Sequence, residues 1–235
     1  YAEPICRHIL VLRDLDKKRS FLETGIDPDG RFRYGFNIAG TNTGRLSSSE
    51  SDFGTGSNSQ NVGRSLRSIF AADPGMKFCN VDLEQADSRN LGAFCWNNFR
   101  EEHGDVVGRY LDACESGDLH TFVCKMANGN LPWPEEQKDW RAVADEIAYR
   151  DFSHRDMAKR LGHGINFYGT PPTMSMHTKI PVQNVREFQA NYFKGFPEIP
   201  MFHEWVKRQL VDYSSLTNLF GFRRHFFGRP TEDST

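Results

Sequence analysis

The sequence predicts an α+β fold in which a small antiparallel sheet carries a large helical lobe. Short extended segments fill the first third of the chain. Helical patterning then runs from Glu84 almost to Gln209, and Leu216 to Phe227 returns to extended, aromatic-rich character. That order describes a sheet platform interrupted by helices, without internal repeats.

Taken in order, Ile5, Ile9, Leu12 and Leu15 recur at helical spacing among charges and predict an amphipathic helix to about Leu22. Thr24 to Gly30 reads as a polar loop and Arg31 to Ala39 as a short strand. Asn42 to Ser59 has the Ser, Thr, Gly and Asn content of a flexible linker, but Arg45 and Leu46 in its middle mark a loop with a function. Ser65–Ala71 and Lys77–Leu83 flank an Asp73-Pro74-Gly75 turn, which predicts a β-hairpin. Beyond it the helical pattern breaks at Gly117, Asn128–Pro134, Gly169–Pro172 and Gly195–Pro197.

Composition narrows the class. The 29 basic and 31 acidic residues nearly cancel, so affinity for nucleic acid has to come from local clusters of Lys and Arg. No apolar run approaches the ~20 residues of a membrane helix. The five cysteines form no Cys-x-x-Cys pair, which fits reduced thiols in a cytoplasmic protein better than a disulfide frame or a zinc site. The opening Tyr1-Ala2-Glu3-Pro4 lacks an initiator Met and a signal-peptide pattern, and reads as an excised segment.

Three stretches carry chemistry. Asp82 follows Phe78, Cys79 and Val81 and precedes a helical pattern, so it either caps that helix or projects from a strand end as a magnesium-binding carboxylate. Thr43-Gly44-Arg45 and Asn58-Ser59-Gln60-Asn61 offer donors suited to the minor groove, where every base pair presents acceptors. Arg155, Lys159 and His163 stand one helical turn apart on one face, a spacing that can span neighbouring phosphates. His120, on an earlier helix, is a further candidate phosphate contact.

Taken together, Thr43-Gly44-Arg45-Leu46-Ser47-Ser48, Asp82-xx-Gln85-xxx-Arg89, Asp118-x-His120 and Arg155-xxx-Lys159-xxx-His163 resemble the polymerase core of the family A DNA polymerases, with a phage-like Gly-His-Gly-Ile-Asn run at Gly162–Asn166. The resemblance implies a thumb remnant over 1–30, the first part of a palm over 31–98, helical fingers over 99–213 and a return toward the palm over 214–235. It implies template-directed DNA synthesis from dNTPs on a primer–template. Two Mg2+ ions would serve the reaction, with Asp82 and the Leu83 carbonyl as ligands.

Arg155 and Lys159 would act on the phosphates in catalysis, and Gln85, Asp87, His120, His163 and either Phe167 or Tyr168 would contact the dNTP. Arg45, Asn58, Gln60, Asn61, Arg67, Arg223 and Arg224 would contact DNA. Asp87 stands where the family has Glu, as a gate against the sugar 2′-hydroxyl or as a solvated helix residue. Leu83, Glu84, Val123 and Phe222 also depart from the family pattern, and Arg223–Arg224 reads equally as a surface hairpin. Residues 126–151 match nothing in it and read as an insertion.

The chain reaches Thr235 before the family's His-Asp-Glu motif, so the expected site lacks its second carboxylate. Glu232 and Asp233 are the nearest substitutes. The chain alone is expected to be inactive, completed by a separate C-terminal polymerase segment. The rival readings are a catalytically inactive nucleic-acid-binding fragment and one half of a split or intein-interrupted polymerase. The expected setting is the cytoplasm, the host's if the gene is viral.

Overall fold

The computed structural model describes residues 3–228, so Glu232 and Asp233 lie outside the described residues. The chain forms two compact units, one up to Val81 and one from Asp82. Among the described residues it is mostly helical with three small antiparallel sheets, each two-stranded.

In the first unit, α1 (Glu3–Leu22) forms where the apolar spacing predicts it. Its apolar side nevertheless stays open, with Ile5 and Leu12 both 64% exposed. The predicted strand at 31–39 shrinks to β1 (Gly35–Asn37), paired antiparallel with β2 (Ser47–Ser49) in a register that sets Phe36 opposite Ser48. An aromatic group of Phe21, Phe32 and Phe70 anchors the unit, with ring centroids 5.3–6.1 Å apart. Beside it Asp27 accepts from Arg33 and from the Thr55 hydroxyl, while Arg33 also grips Asp29 at 2.7 and 3.0 Å. Gly56 is required here. Its φ is +75°, and a Cβ would lie 1.7 Å from the Arg33 carbonyl oxygen.

The polar stretch from Asn42 to Ser59 is therefore a folded loop, not the flexible linker that its composition alone describes. The predicted hairpin at 65–83 is also corrected. Its turn forms, the Met76 N–H donating to the Asp73 carbonyl at 2.8 Å, but Arg64–Ile69 is a 3-10 turn and 77–83 forms no strand. Among the described residues the latter has no ladder partner, and Phe78, Val81 and Leu83 are 71–80% exposed. An unpaired strand leaves its backbone groups to water and gains nothing by being extended.

The second unit carries α2 (Ala86–His103), α3 (Arg109–Glu115), α4 (Leu119–Ala127), α5 (Trp140–Ala144), α6 (His154–Asn166), α7 (Pro171–Thr178), α8 (Val182–Gly195) and α9 (Glu198–Tyr213). The Gly and Pro breaks of the sequence coincide with these boundaries. Two hairpins complete it: β3 (Ile147–Tyr149) with β4 (Phe152–Ser153), and β5 (Ser215–Thr217) with β6 (Arg223–His225). The β3 strand of the first lies inside the unmatched segment and its β4 strand just beyond it, and this hairpin was not expected.

The core gathers Leu119 and Val123 of α4, Leu161 and Ile165 of α6, Val185, Phe188 and Tyr192 of α8, and Ile199 of α9. α2 meets α3 closely at Gly92, where a Cβ would stand 3.0 Å from the Leu111 Cα. A polar relay crosses this core. The Asn166 amide donates to the Tyr110 hydroxyl at 2.6 Å and accepts from the Tyr192 hydroxyl at 2.9 Å, fixing the end of α6.

Candidate active site

Ser153 starts α6, its hydroxyl accepting the Asp156 N–H at 3.1 Å. Ala158, Leu161, Gly162 and Ile165 form the buried face of the helix. Asp156, Lys159, Arg160 and His163, at the i, i+3, i+4, i+7 spacing of one face, are exposed opposite. Arg155 lies about 90° round the helix from the centre of that exposed face, at its border with the buried one. Its side chain is 19% exposed.

The exposed face of α6 forms one wall of an open cleft of about 610 Å³. The opposite wall is the turn into α2 and its first residues: Asp82, Leu83, Gln85, Ala86, Asp87 and Ser88. His120 of α4 completes the lining. Gln85 holds a left-handed φ of +55° and its side-chain amide donates to the Gly117 carbonyl at 2.9 Å. Arg89 pins the same turn by donating to the Glu84 carbonyl at 3.2 Å, to the Cys114 carbonyl and to Glu115. Thus Arg89, part of the Asp82 motif, is a brace. The buried Oε1 of Gln85 has no hydrogen-bond partner among the described residues.

Six residues far apart in sequence thereby share one cleft: Asp82, Gln85, Asp87, His120, Lys159 and His163. Burial first, then the Arg155 guanidinium, hold the His120 imidazole down at about 4, so it is a neutral donor or acceptor at pH 7. Arg155 is turned away from the cleft. Its Nε and Nη2 donate to Asp118 at 2.9 and 2.8 Å. Burial pushes the Asp118 carboxyl up, but the bonds from Arg155 and Thr121 outweigh it and hold it well below the usual carboxylate range.

The alternatives at 167 and 168 are also separated. Phe167 is 65% exposed and lies 4.8 Å from the His163 ring, centroid to centroid. Tyr168, at φ +68°, packs on His203 at 4.2 Å.

In the first unit, the Ser48 hydroxyl donates to Asn58 Oδ1 at 2.7 Å, and the Gln60 amide donates to the Leu46 carbonyl at 3.2 Å. Both candidate readers thus hold the loop together. Arg45 and Asn61 are exposed, and Arg67 donates to the Val62 carbonyl at 3.5 Å. On the β5–β6 hairpin Arg223 bonds the Thr217 hydroxyl at 3.1 Å, and Arg224 lies 4.9 Å over Phe226.

The family model for DNA polymerase family A matches residues 1–232. This chain belongs to DNA polymerase family A. The thermostable DNA polymerase I of Thermus aquaticus is 26% identical over 95% of the chain and 25% of its own length. DNA polymerase I of Chloroflexus aurantiacus is 27% identical, with 94% of the chain and 21% of the relative covered. The chain spans about a quarter of the length of the curated relatives it matches. Among solved structures, the POL domain of Pol1 from M. smegmatis, in complex with DNA primer-template and dNTP, superposes with a TM-score of 0.67. It covers 94% of this chain and 36% of that one at 22% identity, a likeness of fold.

In this family A chain the residues that sequence reading missed are Arg160, Asp156 and Ser88 on the cleft, and Arg141 beside Asp118. A spacing of four selects Arg155, Lys159 and His163. The alternating i+3, i+4 pattern of the exposed face would have selected Asp156, Lys159, Arg160 and His163. For Arg141, in the unmatched segment, the sequence holds no comparable signal.

Proposed function

We propose that this chain carries the nucleotide side of a polymerase site, at which a dNTP is joined to a primer 3′-hydroxyl under the direction of a template. The observation that carries the reading is the single cleft in which Asp82, Gln85 and Asp87 face His120, Lys159 and His163. Lys159 supplies a mobile ammonium for the triphosphate, and Arg160 adds charge beside it. Neutral His120 donates an N–H to a phosphate oxygen. Asp87 lies against the sugar, and the His163–Phe167 pair offers a stacking surface to the base. Arg45, Asn61 and Arg67, with Arg223 and Arg224, contact DNA. Asn58 and Gln60 reach it only through the loop they brace.

The assignment of 1–30 to a thumb, 31–98 to a palm, 99–213 to fingers and 214–235 to a return toward the palm belongs to the same reading, as does a cytoplasmic setting. Among the described residues no helix is long and apolar enough to cross a membrane.

Magnesium fits this cleft in part. Among the described residues no three His, Cys, Asp or Glu side chains converge as a metal site. Asp82 and the Leu83 carbonyl suit one ion that keeps its waters and takes its other ligands from phosphates. When bound, the ion supplies positive charge at the transferring phosphate and acidifies the primer hydroxyl. A second ion needs a further carboxylate, from a polymerase segment outside the described residues. That no such cluster converges among the described residues also favours a second reading, a nucleic-acid-binding module without catalysis.

Primer extension separates the two. In a polymerase that includes this chain, Asp82→Asn lowers the extension rate by about a thousandfold while primer–template affinity stays within about twofold. Extension that survives Asp82→Asn would overturn the catalytic reading, and DNA binding without any extension would favour the module.

A further inference from the structure

Asp118 accepts more hydrogen bonds than a carboxylate needs in order to cap a helix. It begins α4, taking the Thr121 N–H at 3.4 Å and the Thr121 hydroxyl at 2.8 Å. Arg155 adds its two bonds, and Arg141 Nη1 reaches the same Oδ2 at 3.2 Å. The two arginines differ in setting. Arg155 is largely buried, on the border of the cleft wall. Arg141, from the segment that matches nothing in the family pattern, is 54% exposed and also donates to Asp145, 48% exposed, at 2.6 Å.

A triphosphate beside Lys159 presents anionic oxygens that compete with Asp118 for the Arg155 guanidinium. Arg155 can turn to them only by releasing Asp118, and a half-buried carboxylate stripped of its cation is costly. Arg141 removes that cost. It already touches the oxygen that Arg155 Nε would leave, and the Asp145 it shares is exposed enough for water to take its place.

We infer that Arg141 is a positioning residue for nucleotide binding, holding Asp118 while Arg155 exchanges that carboxylate for the triphosphate. Asp118 is thus an internal competitor of the nucleotide, and the 137–145 segment sets how strongly it competes. This inference rests on the nucleotide reading of the cleft.

The test is calorimetric titration of the full 235-residue chain, unsubstituted and in four variants, with magnesium-dATP. Arg141→Gln, outside the cleft lining, weakens binding by about fivefold, because Asp118 then keeps Arg155 to itself. Asp118→Asn tightens binding by a similar factor, since Asn preserves the cap while surrendering the charge. In the double variant the Arg141 effect disappears. Arg141→Lys, which returns the charge, recovers most of the affinity and covers the case in which the Gln variant folds poorly. Weaker binding in Asp118→Asn would overturn the exchange, and so would an Arg141→Gln loss that persists beside Asp118→Asn. No binding by the unsubstituted chain would bring down the nucleotide reading and this inference with it, a result distinct from either of those.

Discussion

The loop around Asn58 and the exposed face of α6 are both polar segments carrying polymerase-like motifs, and they use their side chains in opposite ways. In the loop, Asn58 and Gln60 close hydrogen bonds onto Ser48 and Leu46, and Ser48 is 7% exposed. On α6, Lys159 and His163 stand exposed along a cleft, and the motif residue engaged internally is Arg155. A motif therefore mixes two kinds of residue. Some hold the backbone in shape, and others face outward from it. Burial and partners separate them where spacing does not.

The difference is open to test, and the largest effect belongs to α6. Lys159→Ala lowers magnesium-dNTP affinity by about thirtyfold, as expected for loss of a charged contact to phosphate. Because Lys159 is exposed and has no ion-pair partner among those of the described residues, its melting temperature stays within about 1 °C. A stability loss with unchanged affinity would assign Lys159 to the framework.

The loop should respond the other way. Asn58→Ala leaves the Ser48 hydroxyl without its 2.7 Å acceptor and removes the cap of the 3-10 turn at Ser59–Asn61, costing about 1–2 kcal/mol of stability. Arg45→Ala, at an exposed position, leaves stability unchanged and weakens primer–template binding about threefold, reducing the slope of log affinity against log salt by about one. Denaturant unfolding and salt-dependent binding on both variants decide it. Equal stability losses would erase the distinction drawn between the two residues.

Much of this was legible in the sequence, for physical reasons that also mark where it stopped. Helical periodicity placed α1, and Gly–Pro punctuation bounded α4, marked the α6–α7 boundary and preceded α9, because each is a local pattern. The divisions between α2 and α3, α5 and α6, and α7 and α8 fall at none of the expected breaks. Strands need partners. Lys77–Leu83 has alternation and a turn before it, yet no neighbour among the described residues, so its expected strand is absent. The folding of Asn42–Ser59 was hidden for the converse reason. It depends on Asp27, Arg33 and Thr55, whose meeting is not written in the composition of the loop. For the candidate site, spacing found Lys159 and His163 but could not show that Arg155 faces Asp118. That depends on α4 and α6 packing together through Val123, Leu161 and Ile165.

The smallest effect concerns His120, which sits between the two kinds of residue because it is half-buried and still lines the cleft. Burial and the nearby Arg155, Lys159 and His163 favour its neutral form, while Asp118 opposes them, and the balance puts it at about 4 against an ordinary 6.5. Between those values the unfolded chain binds the proton and the folded chain does not. The stability that this group contributes is therefore fully present above about pH 6.5 and is lost as pH falls toward 4. His203, lowered by burial, has the same sign. Glu198, raised by burial, has the opposite one, its contribution being lost as pH rises past the ordinary carboxylate range. The overall pH profile thus mixes signs, and only a difference between variants isolates one group. His120→Gln, which keeps a donor and cannot titrate, should lose less stability than the unsubstituted chain between pH 6.5 and 4 and run parallel to it above pH 7. Urea unfolding midpoints at half-unit steps would show this as a gap that changes only on the acid side. Parallel curves throughout would mean that His120 titrates as it does in water, and that the α6 wall of the cleft imposes no electrostatic cost on a cation beside it.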